Sequence, residues 1–146
     1  HDFWAKVSLK EESVKVPLII SLPNKKSQRS ESLVELIDLF PTTAALCGLD
    51  IPERLQGKNI SKILRKPQTQ LRDYVFSANN KGWLLQGERW SYIKYKGKAP
   101  NEELFDLKKD PQQYKNLVKN PEYIQALEKM RSAFKGKMAE IKQNDL

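Results

Sequence analysis

Between Val14 and Leu22 the chain reads VKVPLIISL, an almost unbroken apolar run of Val14, Val16, Pro17, Leu18, Ile19, Ile20 and Leu22. A short, β-branched run that does not alternate, closed by Pro23 and Asn24, predicts a strand buried on both faces. Strands of that kind lie in parallel sheets covered by helices, so the run points to an α/β fold. The approach to it has a different character. Lys6, Lys10, Glu11, Glu12 and Lys15 crowd it, beside Phe3 and Trp4. Charged residues feeding straight into a central strand form either a solvated loop or the rim of a site.

Residues 24–30 (NKKSQRS) are a polar loop. Two readings of the next stretch are open. Ser32-Leu33-Val34-Glu35 has the form of a capping box opening a helix. Alternatively, a short strand runs through 33–37 and Asp38 caps a helix over 39–47. The second is preferred, because Pro41 then falls in the first helical turn, where its missing N–H matters little, and Gly48 ends the helix. Loop signals follow at Asp50-Ile51-Pro52 and Gln56-Gly57-Lys58, with Ile60, Ile63 and Leu64 predicted on a short helical turn packed beneath them. The polar run 65–72 (RKPQTQLR) is the best boundary in the sequence.

Beyond it the pattern changes to hairpins. Strands are predicted at 74–76, 83–86, 90–95 and 103–105, separated by the turn residues Asn79-Asn80-Lys81-Gly82, by Gly87-Glu88 and by the loop 96–101. Neighbouring short strands joined by turns make an antiparallel sheet. Asn120-Pro121 opens a helix, Asn as cap and Pro at the first position. Ile124, Leu127, Met130, Phe134, Met138 and Ile141 then recur at helical spacing, a stripe that must cover one face of the sheet.

The 146 residues suffice for a real core, burying roughly two thirds of the unfolded surface. No apolar run approaches the roughly 20 residues that span a bilayer. The single cysteine, Cys47, excludes an internal disulfide and a cysteine-only metal cluster, and its apolar setting predicts a buried thiol. His1 is the one histidine, so a histidine pair cannot hold a metal within this chain. A formal charge of +8 favours polyanions such as nucleic acid, anionic lipid surfaces or sulfated glycans. The lysines are spread along the chain, however, and read mostly as solvated faces.

Several pieces together carry a family likeness: His1-Asp2-Phe3-Trp4-Ala5-Lys6, then Ser8-Leu9-Lys10-Glu11-Glu12-Ser13, then Val16-Pro17-Leu18-Ile19-Ile20. Asp38-Leu39-Phe40-Pro41-Thr42 with Gly48 follows, then Glu103-Leu104-Phe105-Asp106-Leu107 with Asp110-Pro111 and Asn116-Leu117. Over residues 1 to about 120 this order resembles the sulfatase family of the alkaline-phosphatase-like superfamily, nearest its iduronate-2-sulfatase-like branch. Members carry a Gly-Glu-His, a Trp-x-Lys, a Glu-rich turn and a Val-Pro-Leu strand in that sequence. Residue 1 falls inside a motif, so the chain is expected to be the carboxyl-terminal fragment of such an enzyme.

The resemblance implies a fold, a chemistry and a set of residues. Residues 1–66 are expected to end an α/β sulfatase core, and 67–146 to form a small subdomain, a four-stranded antiparallel sheet with a carboxyl-terminal helix. The family hydrolyses sulfate esters with a formylglycine made from a cysteine in a Cys-x-Pro/Ala-x-Arg setting. Cys47 precedes Gly48-Leu49-Asp50-Ile51 and is not that residue. The nucleophile and the ligands of a calcium ion that polarises the sulfate are therefore expected upstream. Lys6, from Trp-x-Lys, is implied as the catalytic contact to sulfate, a fixed cation where negative charge builds. His1 either lines the pocket or is an incidental terminal residue.

Glu11 and Glu12 suit turn or ion-pair roles with Lys10 and Lys15 better than general acid–base work, since adjacent residues rarely face one substrate. The family commonly has an aromatic where this chain has Lys10, a departure at the pocket rim. Trp83, Arg89, Trp90, Tyr92, Lys94 and Tyr95 interleave aromatic and basic residues. They read first as the core and edge of the sheet, with Trp83 and Arg89 as candidate substrate contacts. The implied partner is a sulfated carbohydrate, without nucleic acid or a membrane span, in a periplasmic, secreted or lysosomal setting. Two alternatives stay open: a phosphonate or phosphate-ester hydrolase of the same superfamily, and a basic module that binds polyanions or nucleic acid.

Overall fold

The second half of the sequence is cut into short β-branched and aromatic runs by Asn, Gly and Pro, and the chain turns where those residues stand. In the computed structural model, which describes residues 8–143, the elements run α1 (Glu11–Val14), α2 (Leu39–Leu46), β1 (Val75–Asn79), β2 (Gly82–Gln86), β3 (Trp90–Tyr95), β4 (Glu102–Asp106) and α3 (Ile124–Gln143). The strands form one four-stranded sheet in the order β1-β2-β3-β4. The described residues group into two compact units, 8–16 with 76–143, and 17–75.

In the first unit, Asn79 closes the β1–β2 turn, its Oδ1 accepting from the N–H groups of Lys81 and Gly82 at 2.8 and 3.1 Å. Antiparallel pairing sets Leu85 opposite Tyr92 and Tyr92 opposite Leu104. Because side chains alternate across a strand, Trp83, Leu85, Tyr92, Lys94, Glu102, Leu104 and Asp106 share one face. Leu84, Ser91, Ile93, Tyr95, Glu103 and Phe105 share the other.

The helix stripe covers the first face, as expected. Leu127 and Met130 are buried, and the Phe134 ring meets Trp83 and Tyr92 edge-on at 6.3 and 5.6 Å. Asn120 caps the entry, accepting from the Glu122 N–H at 3.1 Å. Ile124, expected in the stripe, is exposed instead. It follows directly on the tighter 3-10 turn Pro121–Tyr123, and the stripe engages one turn later, at Leu127. The second face is covered by the amino-terminal segment. Leu9 is buried against Leu84, Ile93 and Phe105, with Val14 packed beside them.

The expected strand over 14–22, whose residues belong partly to the first unit and partly to the second, is not formed. Val14 ends α1, and Val16, Leu18 and Ile19 lie exposed, Ile19 at 91%. Residues 15–22 form neither strand nor helix. An apolar run demands burial, but a strand also needs a neighbour for its N–H and C=O groups.

The expected strand over 33–37 is also absent. Extended chain gives way to a 3-10 turn, Leu36–Asp38, that leads straight into α2. Asp38 therefore lies inside the turn and makes no side-chain cap to α2. Pro41 does fall in the first turn of α2. Gly48, at φ +70°, ends the helix, with the Leu49 N–H reaching the Ala44 carbonyl at 2.9 Å. The buried residues of α2 are Pro41, Thr42 and Ala44, while Cys47, at the end of the helix, is exposed and not buried as expected. Ile60 and Ile63 are buried on the expected helical turn. Gly57 backs onto Ile37 so closely that a Cβ would sit 2.0 Å from its carbonyl oxygen, which only glycine permits. Among the described residues no helix is long and apolar enough to cross a membrane.

Candidate functional site

Lys6 and His1 lie outside the described residues. What the structure shows is how the chain just beyond Lys6 is held. Ser8 Oγ accepts from the Lys10 N–H at 2.9 Å, and α1 begins one residue later. The Lys10 side chain turns under the sheet and is itself buried. Its Nζ stands 3.7 Å from the centroid of the Phe105 ring, 3.1 Å from Glu103 Oε2 and 3.4 Å from the Gln113 carbonyl oxygen. The Tyr95 hydroxyl donates to the same Glu103 oxygen at 3.0 Å. Burial, together with the Glu103 charge, holds the Tyr95 phenol above its ordinary range.

Gln113, buried at 1%, completes the arrangement. Its Oε1 accepts from the Glu11 N–H at 2.8 Å, and its Nε2 donates to Ser91 Oγ at 2.8 Å. One side chain thus bridges the amino-terminal segment and β3. Glu11 also receives Lys15 Nζ at 2.6 Å across one helical turn. The expected turn and ion-pair roles hold for Glu11 and Lys15, whereas Lys10 reaches Glu103, far along the chain. Sequence reasoning missed Glu103, Gln113 and Ser91. The one signal available was Lys10 itself, a charge at a position the resembling family fills with an aromatic.

Trp83 stands on the face that α3 covers, and Arg89 lies in the turn between β2 and β3. Trp83 pairs with Lys94, and its ring has Lys96 Nζ at 5.5 Å. Arg89 grips the buried Asp106 carboxylate, Nη2 to Oδ2 at 2.8 Å, with its guanidinium 4.7 Å over the Trp90 ring. The Arg89 hydrogen bond keeps the Asp106 carboxyl below its ordinary value. Lys94 and Trp90 are separated along β3 by about 13 Å at the usual strand rise. The structure therefore does not bring Trp83 and Arg89 together at one point. Tyr92 is buried and donates to Glu102 Oε2 at 2.6 Å, so this ring belongs to the core.

The second unit holds its own polar centre. Asp38 is fully buried and accepts from Arg72, from the Lys58 N–H at 2.7 Å and from the Glu35 N–H at 2.8 Å. Burial pushes its carboxyl up, but these donors outweigh burial and leave it below the ordinary value. Among the described residues no three His, Cys, Asp or Glu side chains gather to hold a metal.

Comparison with known proteins gives a consistent answer. The family described as N-sulphoglucosamine sulphohydrolase, C-terminal, matches residues 1–143. The delta 4,5-hexuronate-2-O-sulfatase of Bacteroides thetaiotaomicron is 32% identical over 139 residues, covering 86% of this chain and 29% of that protein. Arylsulfatase K of Mus musculus is 30% identical over 149 residues, covering 90% of this chain and 27% of the relative. A solved 2-O glycosaminoglycan sulfatase superposes with a TM-score of 0.62 at 31% identity, over 72% of this chain and 24% of that one. The chain spans less than a third of the length of these relatives.

Proposed function

The chain belongs to the N-sulphoglucosamine sulphohydrolase C-terminal family, and on that premise we propose that it is the carboxyl-terminal part of a sulfatase acting on a sulfated carbohydrate. The observation that carries this reading is the family match, which runs through nearly the whole chain, residues 1–143. Relatives named as a hexuronate-2-O-sulfatase and a glycosaminoglycan sulfatase support the sugar substrate. A periplasmic, secreted or lysosomal setting goes with it.

In this reading Lys6 meets the sulfate. Cleavage of a sulfate ester breaks the bond between sulfur and the ester oxygen and leaves negative charge on that oxygen. A compact ammonium suits a point contact to such oxygens. His1 lines the same pocket, and Trp83 and Arg89 offer contacts to the glycan from the small sheet. A formylglycine nucleophile and a calcium ion belong to the part of the protein outside this chain.

The test is made in the longer enzyme with aryl sulfate and sulfated disaccharides, beside the matching phosphate and phosphonate esters. Wild type should prefer the sulfates. Lys6→Ala should lose roughly 10² to 10³ in turnover, the usual loss for one preorganised donor to developing charge. Lys6→Arg tests geometry apart from charge. Preference for a phosphonate ester would replace the sulfatase reading, and Lys6→Ala turnover within about threefold of wild type would remove Lys6 from the site.

A further inference from the structure

We propose that the outward face of α2 is a docking surface, covered by the part of the longer enzyme that lies outside this chain. The inference rests on the reading of the chain as the carboxyl-terminal part of such an enzyme, and it goes beyond that reading by naming a surface where the two parts meet. α2 buries Pro41, Thr42 and Ala44 on its inner side. Leu39, Phe40, Thr43, Leu46 and Cys47 are all exposed. Their spacing, i, i+1, i+4, i+7 and i+8, is that of one helical face. Phe40 is 62% exposed, and Leu36 and Leu49, which flank the helix, are each 65% exposed.

A helix that meets water on one side carries charged and polar side chains there, whereas one that is apolar all round is a buried helix. α2 carries no charged residue on either side. From Leu36 to Leu49 the sequence holds one charge, Asp38, in a chain that is 30% charged. That carboxylate is fully buried and faces Arg72, so it adds nothing to the outward face. Thr43 is the one polar side chain on it. A run of exposed apolar side chains of this kind marks a contact surface. Depletion of charge is the mark of the core of a permanent interface, which resembles a domain core cut in half.

Two observations pick the occupant. The stretch shared with this chain is only 29% of the hexuronate-2-O-sulfatase and 27% of arylsulfatase K, so most of a protein of this kind lies outside it. A segment joined to the same chain meets the face at an effective concentration on the order of millimolar, which a separate partner rarely reaches. The face also lacks the charged groups that steer a transient partner to its site.

The experiment reads Cys47, which stands on this face, in the longer enzyme and in the 146-residue chain. Both are treated with a maleimide, and the label is followed on the Cys47 peptide by mass, so that other thiols do not interfere. In the 146-residue chain Cys47 should react as an exposed thiol, since reactivity requires access. In the longer enzyme it should react about tenfold more slowly or less, at every protein concentration, and recover the free rate in urea. Phe40→Glu gives a second reading. Glutamate is a good helix former, so the melting midpoint of the 146-residue chain should stay within about 2 °C. That of the longer enzyme should fall by about 5 °C or more, because there the substitution takes a charge out of water.

Cys47 labelling in the longer enzyme at the rate of the short chain would overturn the proposal, as would equal midpoint shifts for Phe40→Glu in the two settings. Protection that grows with protein concentration, with a doubled mass in sedimentation, would put a second copy on the face and overturn it too. Turnover of an aryl sulfate by the wild-type longer enzyme is measured beside these. Its absence with Cys47 protected would remove the sulfatase reading and leave the docking surface standing.

Discussion

The Arg72 guanidinium grips the Asp38 carboxylate with both terminal nitrogens, Nη2 to Oδ1 at 2.7 Å and Nη1 to Oδ2 beside it. Both side chains are almost wholly withdrawn from solvent, at 6% and 0% exposure. Arg72 also reaches Glu35 at 3.3 Å. The pair ties the entry of α2 to the chain that leads into β1.

Removing Arg72 leaves the buried Asp38 carboxylate without a counter-charge, held only by the Lys58 and Glu35 N–H groups. Arg72→Ala should therefore destabilise the protein by about 3–5 kcal/mol, well beyond the value of the pair itself. Denaturant unfolding of wild type and variant measures the difference. Coincident midpoints would mean that Asp38 finds water or another donor.

Acid should weaken the fold in a defined window. Asp38 lies below its ordinary 3.8, burial being outweighed by the Arg72, Lys58 and Glu35 donors. Arg131 holds Glu102 below 4.5, and Arg89 holds Asp106 below 3.8. A carboxyl lowered in the folded state contributes stability that is full above its unfolded value and is lost as pH falls through its folded value. Unfolding midpoints should stay level down to roughly pH 5 and then decline through pH 4 and below. A midpoint that rises on acidification contradicts these ion pairs.

Phe134 is half-buried and meets Trp83 and Tyr92 edge-on. Phe134→Ala should cost about 3 kcal/mol, the low end for truncating a core phenylalanine. Trp83 sits at this contact, so a shift in its emission should accompany the loss. An unchanged midpoint would place the helix stripe in a different phase.

Ile19 is 91% exposed in the described chain. Ile19→Lys in the 146-residue chain should change unfolding free energy by no more than about 0.5 kcal/mol, as exposed substitutions usually do. Dye binding to exposed apolar surface should fall at the same time. A clear loss of stability would show that the 14–22 run is buried after all.

The small sheet was legible because its signals are local. Asn79 and Gly82 make the turn between β1 and β2, and the aromatic run 90–95 is strand at both of its ends. Asn120 and Pro121 set the start of the last helix, and Pro41 and Gly48 set the bounds of α2, each through the φ angle or the hydrogen bond it permits. Helical spacing at Leu127, Met130 and Phe134 was enough to name the face that meets the sheet.

What sequence could not reach are the contacts between distant residues. Lys10 and Gln113 are 103 positions apart, and Asp38 and Arg72 are 34 apart. A charge in a sequence does not declare its partner, because folding decides which residues share a buried space. Asp38 was read as the cap of the helix that starts at Leu39, and it stands at that position, but its carboxylate turns back to the Glu35 N–H and to the arriving guanidinium and makes no bond to the helix. The run 14–22 shows the same division. Its composition fixes a demand for burial, since apolar side chains leave water wherever they can. Whether it becomes a strand depends on a neighbouring backbone to take its hydrogen bonds, and only the tertiary structure supplies one.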